Sequence, residues 1–320
     1  MMPAVPRQTL GSTGITVSRL CFGTLTMGPL QRKLAPEAGA ALLHHAFRRG
    51  VNFVDTAQIY GTYPHIREFL KQVPRQEVVI MTRSYAWSEE TAREAVEEAL
   101  EAMDTDNLDL FLMHEQESEH TLRGHREALD YYMTLKERGV IKAIGLSTHR
   151  VAAVTASLRL PEIEVLFPIF NPQGLGIGDG TLTDMITALT AARQAGKAVV
   201  GMKALGGGHL LGSYEKTLRF SLEHPLLDAV AVGMQSAAEI DANCLLASGK
   251  PLTPEAREAA MARSRHLHIG DECVGCGSCV FICRQKALKI TGGKAAVDRS
   301  RCILCSYCVR GCPQFCIKII

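Results

Sequence analysis

Nine of the chain's eleven cysteines fall between Cys273 and Cys316, and their spacing repeats. The run Cys273-Val-Gly-Cys276-Gly-Ser-Cys279-Val-Phe-Ile-Cys283 returns as Cys302-Ile-Leu-Cys305-Ser-Tyr-Cys308-Val-Arg-Gly-Cys312-Pro313, an offset of 29 residues. The same offset carries Leu288-Lys289-Ile290 onto Ile317-Lys318-Ile319. A repeat of this kind is one small supersecondary unit used twice. A disulfide scaffold suits short exported chains. Here the chain is 320 residues long, and its start, MMPAVPRQTLGSTG, lacks a charged end followed by an apolar stretch. Zinc is the second reading, but it wants four ligands, usually as two separated pairs.

The spacing C-x2-C-x2-C-x3-C, present twice, fits a third reading better. Three thiolates set two residues apart can wrap one 4Fe–4S cubane, while the fourth points to the neighbouring cluster. Cys273, Cys276, Cys279 and Cys312 are therefore assigned to one cluster, and Cys302, Cys305, Cys308 and Cys283 to the other. The duplicated run resembles the bacterial-type two-cluster ferredoxin module. Arg284 stands where that module usually has the proline seen at Pro313, a change to a turn and not to a ligand. Cys316 falls where Ala287 sits in the first copy, so it reads as a small packing residue. From Asp271 to Ile320 there are eight Lys and Arg against three Asp and Glu. Two oxidised cubanes with their thiolates carry about −4, so most of that excess is counter-charge.

The first 250 residues alternate short apolar runs with helical periodicity. Strands are expected at Cys21–Met27, Val51–Val54, Val78–Thr82, Leu108–Met113, Ala143–Ser147, Val165–Phe170, Ala198–Met202 and Ala229–Gly233. Helices are expected at Ala35–Arg49, Ser88–Met103, His120–Arg138 and Thr181–Ala195, with Ser88 and Thr91 reading as a helix start. Eight strand–helix units predict an α/β fold, a closed (β/α)8 TIM barrel, followed by a small α+β ferredoxin-like unit. An open doubly wound sheet would favour Gly-x-Gly-x-x-Gly after its first strand, and none is present. The expected division is 1–255 barrel, 256–269 helical connector and 270–320 two-cluster unit.

In such barrels chemistry sits at the carboxyl ends of the strands. Asp55, Arg83, His114, Ser147-Thr148-His149 and Asn171 fall there, with Tyr60 just beyond Asp55. Each alone is an ordinary structural residue, since Asp55 could cap a helix. Together they suggest proton donation to a carbonyl. A tyrosine near its usual pKa of about 10 is a poor acid at neutral pH, and a fixed cation beside it lowers that value. Histidine can hold the carbonyl oxygen as charge develops. Trp87 and Tyr85, after the third strand, either line a pocket or pack locally.

The segment from Gly50 to Gly61, GVNFVDTAQIYG, resembles the signature of the aldo/keto reductase superfamily. Leu110-Phe-Leu-Met-His114 and Ile144-Gly-Leu-Ser147 resemble two further stretches of that family, and the likeness spans roughly residues 7 to 250. It implies a (β/α)8 barrel, nicotinamide-dependent carbonyl reduction and a catalytic tetrad matched by Asp55, Tyr60 and His114. The fourth member is lysine in the family and Arg83 here. Arginine keeps the charge but cannot release a proton as a tuned lysine can. The resemblance also places a glutamine near Phe167 and a nicotinamide-stacking tyrosine near Met202. Gly233 and Glu239 replace bases that would clasp a 2′-phosphate, which favours NADH over NADPH. Ser147, Thr148, Asn171, Met202, Gly206, Gly233 and Asn243 are the expected cofactor contacts, and a flavin is left open.

A cubane passes one electron at a time and nicotinamide passes two. The clusters could feed the barrel through a two-electron group, serve an electron-transfer partner protein, or be structural. The sequence thus predicts an iron–sulfur oxidoreductase acting on a small carbonyl or alcohol. The alternative is a non-catalytic nucleotide-binding redox sensor or electron carrier serving a protein partner. A formal charge of +2 argues against nucleic acid, and no apolar run reaches membrane length. A cytoplasmic protein is expected.

Overall fold

The computed structural model describes residues 4–262 and 264–320. The barrel strands are β3 (Leu20–Gly23), β4 (Phe53–Asp55), β5 (Val79–Ser84), β6 (Leu108–Met113), β7 (Ile141–Thr148), β8 (Val165–Pro168), β9 (Ala198–Gly201) and β10 (Ala229–Gly233), after a hairpin of β1 (Arg7–Thr9) and β2 (Thr16–Ser18). All eight barrel pairings are parallel, and β10 closes the ring on β3 with Val230 opposite Leu20. The expected barrel is therefore present, strand for strand. Boundaries differ by a few residues because the strands stop where the sheet ladder ends, while apolar character continues into the loops.

The helices form for local reasons. Ser88 accepts the Thr91 amide and Thr91 reciprocates, a capping box that starts Glu89–Met103. That helix buries Ala92, Ala95, Val96, Ala99 and Met103 against the barrel. The helix expected over His120–Arg138 is two helices, Glu119–Gly124 and Arg126–Glu137. Gly124 weakens the helix there, and the His125 ring bonds the Thr121 carbonyl at 2.7 Å as the chain turns.

The β1–β2 hairpin, missed from the sequence, plugs the amino end of the barrel. Ser12 donates to the Gly196 carbonyl just before β9, and Leu10 and Val17 are fully buried against the barrel interior. Phe53, Met81, Leu110, Leu112 and Phe167 fill that interior, so the open end is the carboxyl one.

Beyond Pro254–Met261 the connector is not all helix. Leu267–Ile269 is a strand, β11, followed by β12 (Leu288–Thr291), β13 (Lys294–Val297) and β14 (Ile317–Ile319). β11 pairs antiparallel with β14, and β12 with β13. The 29-residue sequence repeat is also a structural one. Helix Ser278–Ile282 and β12 recur as helix Tyr307–Arg310 and β14. Left-handed backbone recurs too, at Gly275 and Leu304, Gly277 and Ser306, and Lys286 and Phe315. This unit sits over the barrel mouth, where His209 bonds the Ile317 carbonyl at 2.9 Å and Arg310 donates to Gln173 at 3.0 Å. Phe315 and Ile317 belong to the same apolar cluster as the barrel's Ile169 and Met202.

Candidate functional site

Four sequence-chosen side chains meet at the mouth. Arg83, 2% exposed on β5, donates to the Asp55 carboxylate, to the Thr56 carbonyl at 2.8 Å and to the Tyr60 hydroxyl at 2.5 Å. Tyr60 is carried there by the 3-10 turn Gln58–Tyr60, which Gly61 ends at φ 60. The His114 ring lies edge-on to Tyr60 with centroids 6.3 Å apart. Tyr85 stacks on the other side of His114 at 4.2 Å and is fixed by its hydroxyl on Glu115 at 2.6 Å. Tyr85 therefore orients the histidine, whereas Trp87 is exposed.

Burial decides the charges. It raises the Asp55 carboxyl, with Arg83 pulling the other way. For Arg83, burial is outweighed by Asp55 and Tyr60, which hold the guanidinium firmly charged. The Tyr60 hydroxyl is raised, because burial exceeds the opposing pull of Arg83. That corrects the expectation of a lowered tyrosine: the cation is in place, but desolvation wins, and Tyr60 is a protonated phenol at neutral pH. Burial, then Arg83 and Lys203, drives His114 well below its usual range, so its imidazole is neutral.

Tyr60, Arg83, Phe167, Met202, Gly233 and Asn243 all line one cavity of about 210 Å³. Lys203, Lys318 and Arg265 line it as well, and sequence reading missed all three. Lys203 was legible as a charge ending the seventh strand; Lys318 lay hidden in the cysteine repeat. Other expected cofactor contacts are turned elsewhere. The Ser147 hydroxyl accepts the Glu115 amide, and Thr148 donates to the Gln116 carbonyl. Asn171 is fully buried, spending its amide on Leu175 and Lys203 carbonyls. Glu239 is paired with Arg265 at 3.1 Å rather than left to face a phosphate.

The glycine triplet Gly206–Gly208 serves the close approach of β14. A Cβ on Gly208 would stand 2.1 Å from the Ile319 carbonyl oxygen, and one on Gly207 2.8 Å from Lys318. Gly206 faces Leu175 and Leu210 instead of the cavity. With β14 there, the cavity is smaller than the roughly 300–1,000 Å³ of drug-sized ligand sites. Gly208→Ala, strained at φ +90 as well, is expected to lift β14. Hydrogen exchange at Ile317–Ile319 should speed up, and unchanged protection would contradict the contact.

The pattern of the Aldo/keto reductase family matches residues 19–225, about two thirds of the chain. This chain belongs to the aldo/keto reductase family. Among its relatives, L-galactose dehydrogenase from Arabidopsis thaliana is 26% identical over 286 residues, which cover 76% of this chain and 88% of that protein. The NADH-specific methylglyoxal reductase of Escherichia coli is 26% identical over 187 residues, covering 49% of this chain and 56% of the relative. The aldo-keto reductase AKR11C1 from Bacillus halodurans, in its holo form, superposes with a TM-score of 0.64 at 20% identity, over 81% of this chain and 96% of its own. The last likeness speaks for the fold. This is an oxidoreductase family that uses nicotinamide cofactors. Among the described residues no helix is long and apolar enough to cross a membrane.

The family match ends before the cysteine repeat. Among the described residues the eight repeat cysteines are free thiols, not disulfides. No group of three or more His, Cys, Asp or Glu there is arranged to hold a single metal ion. Instead the thiols surround two separate cavities. One is lined by Cys273, Cys276, Cys279, Cys312 and also Cys316, which thus faces the cavity instead of serving only as packing; the other is lined by Cys283, Cys302, Cys305 and Cys308. Backbone amides already point at the sulfurs, from Ala295 to Cys273 and from Ala287 to Cys283, each at 3.3 Å.

Proposed function

We propose that the chain is an iron–sulfur oxidoreductase that interconverts a carbonyl and an alcohol at the Tyr60 site, with two 4Fe–4S clusters in the cysteine-bearing unit. The reading is carried by one observation: a single buried guanidinium bridges the Asp55 carboxylate and the Tyr60 hydroxyl beneath an open cavity. In the reducing direction Tyr60, kept protonated by burial, would give its proton to the carbonyl oxygen, while a nicotinamide, the cofactor of this family, would supply the two electrons as hydride to the carbonyl carbon. Arg83, held by Asp55, steadies the phenolate left behind. Neutral His114, edge-on to Tyr60 and braced by Tyr85, stands behind the cavity wall instead of lining it, and would support the phenol from there.

For the clusters, support comes from the partition of thiols. The crossed assignment is supported by Cys312 lying with Cys273, Cys276 and Cys279, and Cys283 with Cys302, Cys305 and Cys308, with Cys316 as a fifth thiol at the first cavity. Left-handed residues recur at Gly275 and Leu304 and at Gly277 and Ser306, and backbone of this kind is common at iron–sulfur sites. Bound there, the cubanes supply one electron at a time. Val274, Phe281, Ile303 and Tyr307 are exposed apolar side chains on this unit, Phe281 at 93%. They favour electron exchange with a partner protein. We divide the chain at about residue 255, with β11 joining the cysteine unit instead of the connector. A nicotinamide would be held by the cavity walls that Met202, Gly233 and Asn243 form beside β14.

Tyr60→Phe tests the site. Turnover on a panel of small aldehydes and 2-oxo acids should fall about 10²-fold or more, with iron content and circular dichroism unchanged. Retained turnover would remove Tyr60 from the chemistry.

A further inference from the structure

The cavity at the barrel mouth carries more positive charge than its own acids neutralise. Its charged walls are Arg83, Lys203, Arg265 and Lys318 against Asp55 and Glu239. Arg83 is paired with Asp55 and Arg265 with Glu239. Lys203 and Lys318 are left over, and among the described residues neither is ion-paired. The Lys203 ammonium meets His149 Nε2 at 2.7 Å, and Lys318 donates to the Phe315 carbonyl. Both lie against one ring, 5.0 and 4.0 Å from the centroid of Phe315. Two such groups side by side and partly desolvated favour an anion between them, beyond the more distant pull of Glu115 and Glu272 on both. Burial first, then Lys318, pushes Lys203 well down, and burial lowers Lys318 to about 8.

Two further observations point to a ligand. Lys203 is held at φ 55, a left-handed conformation uncommon for a long side chain and concentrated at functional sites. Arg83 Nε and Gln31 Oε1 are buried, unpartnered atoms of residues lining the same cavity, one a donor and one an acceptor. The volume, about 210 Å³, suits a few-atom molecule.

We propose that this cavity binds a small carboxylate-bearing carbonyl compound, a 2-oxo or 2-hydroxy acid, with its carboxylate at Lys203 and Lys318 and its carbonyl toward Tyr60 and Arg83. The carbonyl end rests on the function proposed above; the carboxylate end rests on the two lysines. Lys318 comes from the cysteine-bearing unit, so the barrel alone lacks half of the anion site. The same cations could meet the phosphates of a nucleotide, and the test separates the two sources.

Anaerobically purified full-length protein is titrated calorimetrically with oxamate, with neutral oxamide and with ADP-ribose. Oxamate is expected to bind about tenfold or more tighter than oxamide, the worth of one charge-assisted hydrogen bond. Lys318→Met and, as a second variant, Lys203→Met should each lose that preference, and Lys318→Arg should recover it. Tyr60→Phe should bind oxamate normally while losing turnover. Retained turnover with intact oxamate preference would overturn the Tyr60 reading and leave the anion site standing. Equal binding of oxamate and oxamide, or full oxamate affinity in both methionine variants, would overturn the anion site. Lysine-dependent binding of ADP-ribose without oxamate binding would also overturn it, assigning the cations to nucleotide phosphate.

Discussion

Arg83→Met is expected to destabilise the protein by about 3–5 kcal/mol, the usual consequence of stranding one half of a buried ion pair. Asp55 is only 5% exposed and Arg83 2%, so a charge left without its partner at the cavity floor stays largely desolvated. The loss should appear as a lower urea midpoint followed by far-ultraviolet circular dichroism. Asp55→Asn in the same chain should recover part of it, because the stranded charge is then gone. Arg83→Lys should recover more, since the ammonium keeps the charge, although it cannot bridge Asp55, Thr56 and Tyr60 at once as the planar fork does. An unchanged midpoint in Arg83→Met would mean that the Asp55–Arg83–Tyr60 chain does not organise the mouth.

That departure from the family's lysine was visible in the sequence, and the structure gives it a physical setting. Asp55, Tyr60, Arg83 and His114 could be chosen because strand ends in a barrel face one way, so residues distant in sequence converge there. The eight strands were legible because buried parallel strands read as short apolar runs. The hairpin β1–β2 was not, since three-residue strands carry little periodicity. Nor was the reversal of the Tyr60 shift. Sequence shows that a cation is near a phenol, but the balance between that cation and burial is a property of the packed site. The glycine triplet misled for a related reason. Glycines after a strand invite a ligand's approach, and here the chain's own β14 makes that approach. Ser147, Thr148 and Asn171 were chosen for their polar atoms, which the loops consume in holding themselves.

The cysteine repeat was plain in the sequence, and the structure repeats at the same 29-residue offset; the group it wraps is the proposal, argued from spacing. Its crossed pattern makes the second large prediction. In a Cys316→Ala background, which removes a spare thiol 3.3 Å from Cys312, Cys312→Ser should cost about half the iron. Adding Cys276→Ser should cost little more, since both thiols line the same cavity. Adding Cys305→Ser instead should remove nearly all of it, because Cys305 lines the other. The reverse outcome would mean that each run serves its own cluster. On the proposed reading, loss of both clusters should also loosen β14, which pairs with β11 beside the thiol loops.

The central claim is that an aldo/keto reductase barrel here carries a unit built for two cubanes at its mouth. Iron and acid-labile sulfide, counted on anaerobically purified full-length chain, test it most directly. The account predicts about eight of each per chain, with a reducible electron paramagnetic resonance signal. Zinc in place of iron, or iron without sulfide, would contradict it.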